Sequence, residues 1–232
     1  MPPLAALFIA CLLAIFALRA PLHTSALDND PNLQSLPVAD NTNLVTDNAP
    51  KSSNNPLFQF TVAEAPNIIS PIFTKEIQHW AKDIVRWASA ASVDPNLAAV
   101  VMQIESCGDP RALSRSGAMG LFQVMPFHFH ILDHPFNPDT NALRGLNYLA
   151  RSLEAAGGNP RLALAGYNGG IGVISRGEGR WPSETQRYVR FGAPMYEDAR
   201  SGATTSNAVE EWYTNYGRSL CRQASNRLGI AE

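Results

Sequence analysis

Residues 94–109 read DPNLAAVVMQIESCGD, and this stretch decides what kind of fold the chain adopts. Asp94 followed by Pro95 is a cap and first-turn pair, which predicts a helix from Pro95 to about Ser106. Leu97, Ala98, Ala99, Val100, Val101, Met102 and Ile104 occupy nearly every face of that helix. It is therefore predicted to be buried all round, at the centre of a helical domain rather than on its surface. Glu105 closes it. A carboxyl group there is poorly solvated and faces the partial negative charge of the helix end, and both effects disfavour the anion. A Glu kept protonated near neutral pH is a general acid. Read on the helix alone, the plain alternative is a Glu that points into solvent from a frayed end.

Helical periodicity continues on both sides. Ile77, Trp80, Ile84, Trp87 and Ala91 recur at steps of three and four, an apolar stripe along one helix from Lys75 onward. Asn141–Ala156 is expected as another, with Leu143, Leu146, Ala150 and Leu153 inward and Gly157-Gly158 ending it. Pro160 opens a helix to Asn168, and Pro182 opens one through about Arg190. Ala208–Leu228 aligns Val209, Trp212, Tyr216, Leu220 and Leu228, with Gly217 as a possible break and Gly229 as the stop. No run from Lys75 onward alternates as a strand does, and there is no internal repeat. The domain is expected to be mainly α.

The chain has 232 residues, 45% of them hydrophobic, enough for one sizeable core and short for two full domains. A net charge of -2 and a pI of about 6.2 leave no excess of cations to neutralise a phosphate backbone, so nucleic acid is not expected as a partner. Leu4–Leu18, LAALFIACLLAIFAL, is short for a bilayer span and fits the apolar region of a secretory signal. Cleavage after Ala26 follows small residues; uncut, the segment is a membrane anchor flanked by Arg19. Residues 1–26 are thus read as signal or anchor, and the chain as exported. Residues 27–74 follow as a flexible linker: the stretch from Leu27 to Ser70 is dense in Asn, Asp, Pro and Ser and carries five acids against Lys51 alone. A coil of that length spans on the order of 35–40 Å, reach enough for a domain held near a membrane to search beyond it. Phe58, Phe60 and Val62 alternate within it. Residues 75–200 are expected to form the main domain and 201–232 a helical extension packed on it. Once the first segment is removed, Cys107 and Cys221 remain, an even pair that in an oxidising compartment is a candidate bridge; the alternative is two buried thiols.

Four further segments carry a family resemblance: the Glu105-Ser106 pair closing a helix, GLFQVMP from Gly120 to Pro126 in a glycine-punctuated loop entering a short apolar helix, AGYNGGIG from Ala165 to Gly172, and SETQRYV from Ser183 to Val189. In this order they resemble the boxes of the soluble-type lytic transglycosylases of the goose-lysozyme-like superfamily, over roughly Lys75–Ala199. The resemblance implies a lysozyme-like helical fold and, as substrate and partner, the β-1,4-linked glycan strand of peptidoglycan, cut between N-acetylmuramic acid and N-acetylglucosamine by a chain expected to act as a monomer. It implies that Glu105 is the single catalytic acid and later the base. Ser114, with Ser116 beside it, corresponds to a serine that contacts the acid or the substrate N-acetyl group. Gln123 and Met125 correspond to groove residues, Tyr167 and Asn168 to the pair facing the sugar at the cleavage point, and Glu184 and Tyr188 to residues near the groove floor. Phe122 stands where the family usually has Met and Gly166 where it usually has Ala, departures expected to bear on substrate fit.

One acid suffices if the substrate supplies the rest. Ordinary glycosidases use two carboxylates. In this family the N-acetyl oxygen stabilises the anomeric centre and the muramic acid C6 hydroxyl attacks, leaving a 1,6-anhydro end. The alternatives are a goose-type lysozyme adding water, or a wall-binding module without activity. Asp109 sits in an Asp-Pro turn and is expected to shape it. His128, His130 and His134 lack a fourth donor in a recognisable pattern, so no metal and no cofactor is expected. Trp212, Tyr213 and Tyr216 could bind sugar faces, but their helical spacing favours core packing, and Arg111 and Arg115 flank the loop, facing peptide carboxylates or only solvent.

Overall fold

The structure, a computed structural model, describes residues 68–230. The signal or anchor segment, the cut after Ala26, the linker up to residue 67 and the Phe58-Phe60-Val62 alternation lie outside the described residues. Eight α-helices follow one another: α1 Lys75–His79, α2 Ala81–Ala90, α3 Pro95–Glu105, α4 Pro138–Ala155, α5 Pro160–Gly169, α6 Ser183–Arg200, α7 Asn207–Trp212 and α8 Arg218–Leu228. A π-helical turn, Tyr213–Gly217, joins α7 to α8. Among the described residues there is no strand, only isolated bridges of Met119 to Leu113 and Val124. None of the helices is long and apolar enough to cross a membrane.

α3 is the axis of the fold. Leu97–Gln103 are at most 1% exposed, with α1, α2 and α6 packed around them. Asp94 caps the helix by accepting from Asn96 N at 2.7 Å, and its second oxygen accepts from the Tyr196 hydroxyl of α6. Two polar side chains of this apolar helix tie down the segment before α1: Asn96 accepts from Ser70 N, and Gln103 from Thr74 N. Ile69, Ile72 and Phe73 are buried with them. Residues 68–74, expected in the linker, are thus part of the packed domain, because buried amides of α3 recruit their backbone.

The other elements differ from expectation in instructive ways. The stripe from Ile77 to Ala91 is two helices, broken at Trp80, whose indole N–H donates to Gly108 O at 2.9 Å. α4 starts earlier than expected because Asn137 caps it ahead of Pro138, and Leu143 is 52% exposed while Ala142, Leu146 and Leu149 face the core. α6 continues ten residues past Arg190, through Gly192 and Pro194: Phe191, Met195, Tyr196 and Ala199 are buried, and that burial outweighs two poor helix formers. The short apolar helix expected after Gly120 is a set of turns held by Gly120, Met119 and Val124 backbone bonds, followed by a single 3-10 turn, Pro126–His128.

The extension after α6 is fastened in three places, two just past the end of α3 and one on α1. Cys107 and Cys221 form a disulfide with Cα atoms 5.0 Å apart. The fully buried Asp109 accepts from Arg111 N, shaping its turn, and also from Gln223 and Arg227 of α8. The buried Glu76 of α1 accepts from the Ser225 hydroxyl. The π turn changes what this extension presents. A regular helix would carry the stripe from Trp212 to Tyr216 and Leu220; the extra residue moves it to Gly217, Cys221 and Ala224. Tyr216 is consequently 52% exposed, correcting its reading as a core residue, while Trp212 is buried at 3%. Gly217 is required there, since a Cβ would stand 2.5 Å from the Trp212 ring.

Removing the bridge with Cys107→Ser and Cys221→Ser together should lower the free energy of urea unfolding by about 2–5 kcal/mol, measured without reductant. With reductant the two proteins should unfold alike.

Candidate active site

Glu105 ends α3 where the chain turns away, Cys107 at φ 49° and Gly108 at φ 81° reversing its direction. Its side chain opens into a cleft of about 200 Å³ bounded by Asn168 of α5, Glu184, Tyr188 and Phe191 of α6, and Trp212 and Tyr216 of the extension. The carboxyl is desolvated by these walls. Burial pushes its pKa from the ordinary 4.5 up to about 8; the charge of Glu184 pushes the same way, and the Tyr188 hydroxyl beside it tempers the rise. At neutral pH the group is therefore mostly protonated. The Tyr188 hydroxyl is buried beside this carboxyl and has no other hydrogen-bond partner.

The A-G-Y-N segment builds the next wall. Asn168 Oδ1 accepts from the Thr185 hydroxyl at 2.9 Å, which fixes the amide and leaves its N–H₂ group free to donate. Tyr167 donates its hydroxyl to Phe122 O at 2.7 Å, so its ring rather than its oxygen is available. Burial, and secondarily the charge of Glu105, raise the Tyr167 pKa, and the residue lines a second, smaller recess with Gln123, Met125, His128 and Tyr148. In that recess His128, Tyr148 and Tyr167 meet in series, the first pair tilted and the second edge-on, 4.7 and 5.7 Å between ring centres. Gln123 stands at φ 45° and donates to Ala112 O and Gly120 O, closing the loop on itself.

Of the residues expected at the site, Glu105, Asn168, Glu184 and Tyr188 converge on one cleft, and Gln123, Met125 and Tyr167 on the neighbouring recess. Ser114 and Ser116 border neither: the Ser114 hydroxyl accepts from Ala118 N and closes the loop. Glu184 is an exposed wall residue, not a floor residue. The departures at Phe122 and Gly166 concern packing instead of the groove. Phe122 is fully buried, where its ring crosses Trp87 and its Cβ would meet a Cβ at Gly145; Gly166 leaves room for Ile174, 2.7 Å from where its Cβ would be. Arg111 and Arg115 are exposed and outside the cleft. The one trio of metal-ligand side chains gathered among the described residues, Glu76 with Cys107 and Cys221, has its thiols consumed in the disulfide. Ile104, Arg187, Phe191, Trp212 and Tyr216 line the cleft without having been expected to. Arg187 and Phe191 are legible in retrospect, one and three residues from Tyr188 on a predicted helix; Tyr216 needs the π turn, which no spacing announces.

Comparison with known proteins falls on the same region. Residues 83–188 match the family model described as transglycosylase SLT domain. It is 33% identical over 111 residues to the transglycosylase of Enterobacteria phage PRD1, covering 47% of this chain and 40% of that one. It is 30% identical over 142 residues to the membrane-bound lytic murein transglycosylase C of Edwardsiella ictaluri (strain 93-146), covering 52% and 38%. The chain thus spans about two fifths of the length of these relatives. Among solved structures, the lytic transglycosylase Slt of Pseudomonas aeruginosa, an inactive mutant, overlaps 52% of this chain and 24% of its own at 24% identity and a TM-score of 0.43, too partial an overlap to argue from.

The raised pKa of Glu105 has a consequence for stability. Between pH 4.5 and about 8 the folded chain keeps this proton while the unfolded chain loses it, so the group's contribution is complete below pH 4.5 and falls as pH rises towards 8. Glu105→Gln does not titrate. In urea unfolding its advantage over the natural chain should grow from pH 5 to pH 8, to on the order of a few kcal/mol, and then level off.

Proposed function

We propose that this chain, whose residues 83–188 match the transglycosylase SLT domain, is a lytic transglycosylase that cleaves the β-1,4 bond between N-acetylmuramic acid and N-acetylglucosamine in peptidoglycan and leaves a 1,6-anhydromuramic end. The observation that carries this reading is Glu105, a carboxyl held neutral at physiological pH in a cleft that the matched segment shares with Phe191, Trp212 and Tyr216. A neutral carboxyl donates a proton to the glycosidic oxygen as the bond to the leaving sugar breaks. The carboxylate so formed takes the proton of the muramic C6 hydroxyl, whose oxygen closes on the anomeric carbon. Glu105 ends protonated as it began, and no water is consumed. A pKa near 8 suits both halves of this cycle, since neither protonation state is far from neutral pH. Asn168, held by Thr185, presents amide hydrogens for the N-acetyl oxygen, and the Tyr188 hydroxyl beside Glu105 steadies the carboxylate as it forms.

Export belongs to the same proposal. Peptidoglycan lies outside the cytoplasmic membrane, and residues 4–18 would carry the domain there, either cleaved or kept as an anchor. A disulfide at Cys107–Cys221 suits an oxidising compartment.

Glu184 favours one second reading. It is an exposed carboxylate in the cleft of Glu105, and a carboxylate opposite an acid is what a hydrolase uses to activate water. Product mass separates the two: digestion of purified peptidoglycan should release muropeptides one water lighter than reducing-end products, and reducing ends would overturn the transglycosylase reading. Glu105→Gln should cut turnover by at least about 100-fold. Glu184→Gln should retain turnover while shifting the alkaline limb of the pH profile downward, because it removes a charge that raises the Glu105 pKa.

A further inference from the structure

Tyr216 reaches the cleft from outside the matched domain, and it does not come alone. Arg187 of α6 lies over its ring, guanidinium carbon to centroid 5.6 Å, and Phe191 meets the same ring edge-on at 5.4 Å between centres. Arg187 and Tyr216 border two spaces at once: the Glu105 cleft on one side and, on the other, an open recess also bounded by Arg161, Glu178 and Arg190. In the recess Arg161 is paired with Glu178, and Arg190 with Glu211 at 2.7 Å. Among the described residues no carboxylate is paired with Arg187. Glu184, one turn earlier on α6 and in the same cleft, does not reach it.

A guanidinium without a carboxylate, oriented by an aromatic face at the mouth of an active-site cleft, is a ready receptor for an anionic group of the substrate. Its planar fork matches a carboxylate with two parallel hydrogen bonds, and the stacking on Tyr216 limits the side-chain freedom lost on binding. The negative Glu184 disfavours an acid lying deeper, beside Glu105, and so directs it to the recess side of Arg187. We propose that Arg187 and Tyr216 form a subsite for the carboxylates of the peptide stems borne by the glycan strand, so that the enzyme selects strands with acidic stems. The subsite rests on the proposed substrate. It is completed by the extension after α6: the π turn rotates Tyr216 out of the core into the cleft, and the Cys107–Cys221 bridge together with Asp109 holds the helix that follows.

The test uses the full chain and two substrates, peptidoglycan strands with free stem carboxylates and the same strands after conversion of those carboxylates to primary amides. The natural enzyme should show a KM about tenfold lower on the acidic strands. Arg187→Gln should raise KM on acidic strands far more than it lowers kcat, bringing the ratio of the two substrates close to one; Arg187→Lys should recover part of it, and Tyr216→Leu should weaken it with Arg187 in place. A natural enzyme indifferent to amidation, or a ratio unchanged in Arg187→Gln, would overturn the subsite. Absence of anhydro ends from either substrate would instead overturn the proposed reaction, and equilibrium binding of the two strands to the natural and Arg187→Gln proteins would still decide the subsite.

Discussion

A carboxyl group stays neutral at pH 7 only where water cannot reach its anion well, and in this chain the barrier to water is the packing around α3. Leu97–Gln103 are sealed on every side by α1, α2 and α6, so the last turn of the helix delivers Glu105 into a space bounded by protein on most sides. The surrounding devices serve that placement. Asp94 starts the helix at a fixed residue, Asn96 and Gln103 satisfy the backbone of the segment crossing it, and the turn at Cys107 and Gly108 leads the chain away immediately after the acid. A shift of a few units in pKa costs the folded state stability on the scale that single mutations reach, so the site is affordable only in a domain whose core is otherwise closely packed.

The segment after α6 has two faces with different duties. Its inner face, Cys221, Ala224 and Ser225, is bound to the end of α3 and to α1 by a covalent bridge and by the buried acids Asp109 and Glu76. Its outer face carries Tyr216, which with the buried Trp212 lines one side of the cleft. The π turn reconciles them: one extra residue lets the buried stripe jump from Trp212 to Gly217 without unwinding the helix. The acid and the far end of the cleft are consequently parts of one mechanical unit, although they are more than a hundred residues apart in the chain.

Much of the fold was legible because its signals are local. Asp94-Pro95, Pro160 and Gly229 mark helix ends through backbone geometry that neighbours cannot alter, and each does so here. Where neighbours compete, the reading failed in a consistent direction: Ile69, Ile72 and Phe73 looked like linker until the amides of α3 claimed their backbone, and α6 outran its breakers because its far half is buried. Leu143 is apolar and exposed, since the register of α4 is set by how Gly145 admits Phe122, a contact between distant segments. The residues of the four boxes could be named from their order, but that Asn168, Glu184 and Tyr188 share a space with Glu105 while Ser114 and Ser116 do not is a property of packing.

The sequence by itself determined that residues 94–105 form an apolar helix ending in one acid, since capping and hydrophobic pattern act within a few residues. It also determined which two cysteines were available to bridge. Only the tertiary structure decided how neutral that acid is, because desolvation depends on every wall of the cleft at once. It alone decided that Tyr216 leaves the core to stand beneath Arg187, because the phase of a helix is set by the surface it packs on as well as by its own spacing.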